Sequence, residues 1–178
     1  GGGGGVAVSF SGAARVRDAR GTLAADRIEA KSLGASGLIA FQAAGQVVAS
    51  GPTAHGIGQL SCDALDANLD ATGGVRDGLA TGDVRFEGEG TAGEAAEARV
   101  SSLAVNGTVT LLSSDKRRAR LASGKTRVVA GTIVSDLRGV NLVAEGRVES
   151  TMLPVTGSQP RRGSPMFAAS EAIHFVSA

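Results

Sequence analysis

Residues 80–87 read Ala80-Thr81-Gly82-Asp83-Val84-Arg85-Phe86-Glu87, and their pattern decides the fold class. Val84 and Phe86 alternate with Asp83, Arg85 and Glu87. Successive side chains of an extended strand point to opposite faces, so this run has one apolar and one charged face. The same period of two recurs at Val6, Val8 and Phe10, against Ala7 and Ser9. It recurs again at Leu142, Ala144 and Val148, against Glu145, Arg147 and Glu149. A strand with one wet face belongs in antiparallel sheet. Glycines at 12, 21, 45, 82, 107, 131 and 146 interrupt the runs. Each would cost a long helix about 1 kcal/mol, whereas turns, bulges and close backbone approach accommodate them. Segments 62–70 and 92–105 are helically ambiguous. The second is rich in alanine but lacks a stripe of large apolar residues, and both read as strand.

A loose repeat extends this reading along the chain. The pattern small-X-Gly-X-Val occurs at Ala43-Ala44-Gly45-Gln46-Val47, Ala80-Thr81-Gly82-Asp83-Val84, Val105-Asn106-Gly107-Thr108-Val109 and Ala144-Glu145-Gly146-Arg147-Val148. Between these lie segments such as Ala25-Asp26-Arg27-Ile28-Glu29 and Ala130-Gly131-Thr132-Ile133-Val134. The spacing is too uneven for a strict solenoid and suits strand pairs joined by loops of variable length. Leu23 and Ile28 fall out of phase with one another, which implies bulges.

Composition sets the outer limits. The 178 residues suit one domain with a real core. They include 27 Gly, 30 Ala, five Phe and no Trp or Tyr. A thick, tightly filled core is hard to build from such small side chains. With 18 basic and 17 acidic residues the net charge is +1, which argues against a nucleic-acid partner, as does the shortage of rings for stacking. Cys62 is the only cysteine, so no internal disulfide framework exists. No run of 18 apolar residues is present. Residues 1–5, all Gly, read as a flexible linker or truncated end. Residues 154–165, rich in Pro, Gly and Arg, read as a loop or linker. Residues 166–178 read as a last strand or the start of a further unit, and the chain as an internal piece of a longer protein.

Motifs that carry chemistry are weak here. Gly88-Glu89-Gly90-Thr91-Ala92-Gly93 matches GxGxxG. The strand before it is half charged and no core-facing helix follows, so it reads as a Gly-rich hairpin loop rather than a dinucleotide site. Gly124-Lys125-Thr126 resembles the end of a P-loop, but Ala119 stands where its first Gly belongs. His55 and His174 have no partners at ligand spacing, and Cys62 with His55 makes no zinc set. No metal, no cofactor and no catalytic residue is expected, and Asn106-Gly107-Thr108 reads as a turn. From Asp63 to Glu97 there are nine acids and two arginines, and from Arg99 to Arg127 seven bases and one acid. This segregation reads as two solvated faces that help hold the sheet together.

The Gly-centred strands and the Ala-Asp-Arg-Ile-Glu element together resemble the OstA-like periplasmic lipopolysaccharide-transport family, which includes LptA and LptC. Those sequences run as repeated pairs of an A-x-G-x-V strand, a hydrophilic turn and an A-D-x-x-x strand. Residues 21–29 fit the second kind, and residues 80–87 and 144–150 the first. The tail from Ala169 to Ala178 resembles the opening of a further unit. The likeness covers residues 6–153 and that tail.

The resemblance implies an all-β fold: an open, twisted antiparallel β-jellyroll built from repeated strand pairs, over residues 6–153. It implies an apolar trough that shields acyl chains of lipopolysaccharide or a related glycolipid, with no reaction performed. It also implies a periplasmic location, either soluble or held at the inner membrane by an upstream segment, and edge-strand pairing with other jellyroll modules. The in-phase apolar positions Ile28, Val47, Val84, Phe86, Val109, Ile133, Leu142 and Val148 are the expected trough lining. The alternative reading is a bactofilin-like β-helical scaffold that self-assembles into filaments.

Overall fold

The computed structural model describes residues 6–18, 21–32, 38–53, 56–71, 74–88, 90–101, 107–136, 141–152 and 167–176. All regular structure in it is strand. The order is β1 (Ala7–Asp18), β2 (Gly21–Ser32), β3 (Ile39–Thr53), β4 (Gly56–Leu69), β5 (Val75–Gly88), β6 (Thr91–Ser101), β7 (Thr108–Leu112), β8 (Ala119–Ser123), β9 (Thr126–Ala130), β10 (Thr132–Asp136), β11 (Asn141–Met152) and β12 (Phe167–Val176). The ambiguous segments 62–70 and 92–105 contribute to β4 and β6. The expected loops at 1–5 and 154–165, and His55, lie outside the described residues.

One antiparallel sheet contains all twelve strands. From β1 to β6 each strand pairs with the next as a meander. Beyond β6 the pairings β6–β7–β10–β11–β9–β8 return to β6 and close a ring of six strands. The register shows how the ring arises. β7 and β8 lie end to end against β6, which meets β8 through 91–94 and β7 through 97–101. β10 and β9 lie end to end against β11 in the same way. A parallel β-helix, which the scaffold alternative requires, is incompatible with these pairings, all of which are antiparallel.

The repeat glycines 45, 82 and 146, together with Gly12, mark a crease, whereas Gly107 lies ahead of β7. Each of four strands carries a Gly followed by a second residue with positive φ: Gly12-Ala13, Gly45-Gln46, Gly82-Asp83 and Gly146-Arg147. At each of these points the register with a neighbouring strand slips, because the Gly-bearing strand holds one residue more than its partner. An extra residue bends the strand and increases its local twist. The residues flanking the bend face one side. Ala43 and Val47, Ala80 and Val84, and Ala144 and Val148 are all buried. On the intervening strands the inward residues are three apart, as at Ala25 and Ile28, with Asp26-Arg27 turned outward. This is the phase break expected between Leu23 and Ile28.

Among the described residues no second sheet or helix covers the apolar face. The central positions of every strand from β2 to β11 are nonetheless buried. A lone sheet achieves this by folding against itself about the crease, so that two arms face one another. The first arm holds the residues before the Gly in β1, β3, β5 and β11, with β7 and β10. The second holds those after it, with β8 and β9.

In β7–β8 the one-residue bulge is replaced by a longer excursion, Ser113–Arg118, closed by mutual backbone bonds between Ser114 and Arg117. Arg117 forms an ion pair with Asp83 at the β5 bulge. Arg118 pairs with Glu149 at 2.5 Å and donates to the Arg147 carbonyl at the β11 bulge. The acidic and basic halves of the sequence therefore meet at the crease. Across β9–β10, the Gly131 N–H donates to the carbonyls of Glu145 (2.9 Å) and Gly146 (2.7 Å).

Gly82 is needed twice over. Its φ is 70°, and a Cβ there would run into the Asp63 side chain of β4. A left-handed conformation costs an L-residue about 1–2 kcal/mol before any clash is counted. Gly82→Ala is expected to lower unfolding free energy in urea by at least that amount. Gly88→Ala, whose added Cβ would meet nothing within 4 Å, should leave it nearly unchanged.

Candidate functional site

The inner face is closed at the crease and more accessible toward the strand ends. Its floor is small and closed: Ala25, Ala43, Ala80, Ala95, Ala119, Ala130 and Ala144 stand beside Ile28, Val47, Val84, Val128, Ile133 and Val148, all buried. Alternating small residues let the arms approach closely near the bend. Higher on the walls, Leu23, Phe41, Leu60, Leu65, Phe86, Val109 and Leu142 are only partly buried and pack on the floor. At the rim Ile39 and Met152 are exposed.

Exposure is greatest along β1. Val6, Val8, Phe10 and Val16 are 69%, 42%, 51% and 40% exposed. Register places Phe10 beside buried Ile28, Val8 beside Ala30, and Val16 beside Leu23, so all three belong to the inner face. Val8, Phe10 and Val16 thus share one strand that has no described neighbour on its other edge, and Val6 immediately precedes it. Scattered exposed apolar residues are ordinary, whereas a contiguous set marks an interaction surface.

The eight positions expected from sequence divide between these levels. Ile28, Val47, Val84, Ile133 and Val148 form the floor, where a ligand reaches them only if the arms part. Phe86, Val109 and Leu142 stand on the walls. Phe86 occupies the space that a side chain at Gly93 would take on β6. Sequence reasoning missed the wall residues Leu23, Phe41, Leu60 and Leu65 and the β1 set. The period of two at Val6, Val8 and Phe10 was visible, but the position of β1 at the edge was not.

Nucleophilic chemistry finds little support at Cys62. The thiol is buried at the crease of β4, opposite Val47. Burial, reinforced by neighbouring Asp63, pushes its pKa up to about 11 against a partly opposing backbone hydrogen bond from Ala64. A thiol so held is protonated at neutral pH. Among the described residues no group of three or more His, Cys, Asp or Glu could hold a metal ion. The GxGxxG stretch ends β5 and opens β6, with Gly88 paired to Thr91. Gly124-Lys125 forms the two-residue turn between β8 and β9. Neither precedes a helix.

No family model matches the chain, and neither does any curated protein.

The Cys62 environment has a measurable consequence. At pH 8 iodoacetamide should modify the folded chain about a hundredfold more slowly than the urea-unfolded chain, since the thiolate fraction drops with the raised pKa. Folding favours the neutral thiol, so its contribution to stability is full below pH 9 and lost as pH rises toward 11. Cys62→Ala should remove that part of the alkaline destabilisation, read from urea midpoints at pH 8 and pH 10.5.

Proposed function

We propose that this chain is a non-enzymatic lipid-carrier module, an open β-jellyroll of the OstA-like kind. In this reading it shields acyl chains of lipopolysaccharide or a related glycolipid in its apolar trough, within the periplasm, on the way to the outer membrane. The observation that carries the reading is the exposed inner-face set Val8, Phe10 and Val16 on β1. Each methylene that such a surface takes from water gains about 0.8 kcal/mol. The wall residues extend the surface toward a floor with few polar side chains, so an acyl chain would meet almost no group needing a hydrogen bond. The free edge of β1 and that of β12, which pairs only with β11 among the described strands, suit strand addition by further modules.

Floor residues are poor reporters of such binding, and β1 and wall positions are better ones. Photoreactive residues at Phe10, Val16 and Phe41, with Arg15 and Gln42 as outward controls, would be tested after export to a Gram-negative periplasm. Lipopolysaccharide adducts are expected from the inward set alone. Absence of adducts from every position of a folded, exported protein would overturn the proposal. In vitro, Val8→Asp with Phe10→Asp should weaken a fluorescent acyl probe at least about tenfold, since burying each side chain is worth roughly 1.5–3 kcal/mol.

A further inference from the structure

The outward face of the second arm carries two side-chain rows that run across the strands in register. One begins at Arg15 and passes Val48 and Ser61 to Arg85, then Glu94 and Arg120. The other begins at Arg17 and passes Thr22, Ser50, Gln59 and Glu87, ending beyond Ala92 and Ala122 at Arg127. Between them lies a furrow of about 610 Å³ across β3, β4, β5, β6, β8 and β9. Between the rows it is lined by Leu60, Phe86, Gly93, Leu121 and Val128, and its second wall is lowered by Ala92 and Ala122.

Within the furrow Arg85, Arg120 and Arg127 stand with Glu87 and Glu94, and the β1 arginines Arg15 and Arg17 lie beyond its end. The two rows hold five arginines against Glu87, Glu94 and Glu149, and Arg118 already engages Glu149. Arg85 has Asp83 at 3.6 Å. Arg15, Arg17, Arg120 and Arg127 are exposed and have no ion pair among the described residues. The remaining positions mix the hydroxyls of Thr22, Ser50 and Ser61 and the Gln59 amide with Val48 and alanines, and Thr22 and Ser50 are bonded to each other at 2.7 Å. Guanidinium forks match carboxylates and phosphates, and hydroxyl and amide groups match sugar hydroxyls. Strands repeat about every 4.8 Å across the furrow, close to the advance of one pyranose in an extended glycan.

We infer that this outward furrow is a binding groove for an extended acidic oligosaccharide, seated across the strands. Arg120 and Arg127 grip its acidic groups at one end, Arg85 in the middle, and Arg15 and Arg17 at the β1 end. The groove is on the opposite face from the trough and stands independently of lipid binding.

The test is calorimetric titration of the whole chain with a galacturonate hexamer, with neutral maltohexaose and hexaglutamate peptide alongside. The uronate should bind, and its affinity should fall about tenfold between roughly 50 and 200 mM salt. The Arg120→Gln, Arg127→Gln double variant, altered only at exposed positions, should lose about tenfold at low salt. Its circular dichroism and urea midpoint should match the parent. Phe10→Asp, which affects the trough, should leave uronate binding intact, so failure of one site does not imitate failure of the other. Equal binding of maltohexaose would overturn the inference. So would tighter binding of hexaglutamate, full affinity in the arginine variant, or no binding of the uronate.

Discussion

A sheet with one apolar face and no other layer can cover that face only by bending. The rest of this structure follows from that requirement. The apolar set of β2 to β11 is buried in the middle of each strand, where the fold is sharpest, and uncovered toward the ends. The bend is made with an extra residue on alternate strands and a backbone there that tolerates positive φ. Gly followed by a second left-handed residue provides both at 12–13, 45–46, 82–83 and 146–147. The neighbouring strands turn without an insertion. Instead, Asp26 and Asp63 lie where side chains on Gly45 and Gly82 would stand. The alternation of A-x-G-x-V with A-D or C-D segments is thus a packing relation between adjacent strands.

The crease also accounts for the ring. Where a one-residue bulge would fall in the strand after β6, the chain inserts Ser113–Arg118 and divides one long strand into β7 and β8. Its arginines run in opposite directions, Arg117 to the β5 bulge and Arg118 to the β11 bulge. Exposed ion pairs contribute little individually. Their placement matters more, because they tie three bends together on the outer side of the sheet. The segregated charge of residues 63–127 is resolved partly at this point.

The strands and their facing were legible because period two is a local property. Val84 and Phe86 against Arg85 and Glu87 declare a half-buried strand whatever its neighbours. Three of the bulges, at Gly45, Gly82 and Gly146, fall in the repeated setting, whereas Gly12 lies outside it and Gly107, which shares it, precedes β7. The levels of the inner face were not legible. Val8 and Val84 have the same local pattern, yet one lies exposed on an edge strand and the other is fully buried. That difference depends on strand order and on distance from the bend, which are properties of the assembled sheet. The outward furrow was hidden for the same reason. Arg15, Arg85 and Arg120 are far apart in sequence and align only through six strand registers, five of them displaced by the bulges.

In the proposed carrier, the gradient of exposure separates two requirements placed on one surface. Stability needs apolar groups permanently out of water, and alanine with valine at the bend meets that need by close approach of the two arms. Binding needs apolar groups that remain available, and the larger side chains toward the walls and along β1 supply them. If large residues occupied the bend, the arms would be held apart and the floor would be underpacked. If the rim were equally small, it would offer little area to an acyl chain. The scarcity of aromatic residues, which first suggested a thin core, is in this light the condition for a sheet that closes at its crease and stays open at its edge.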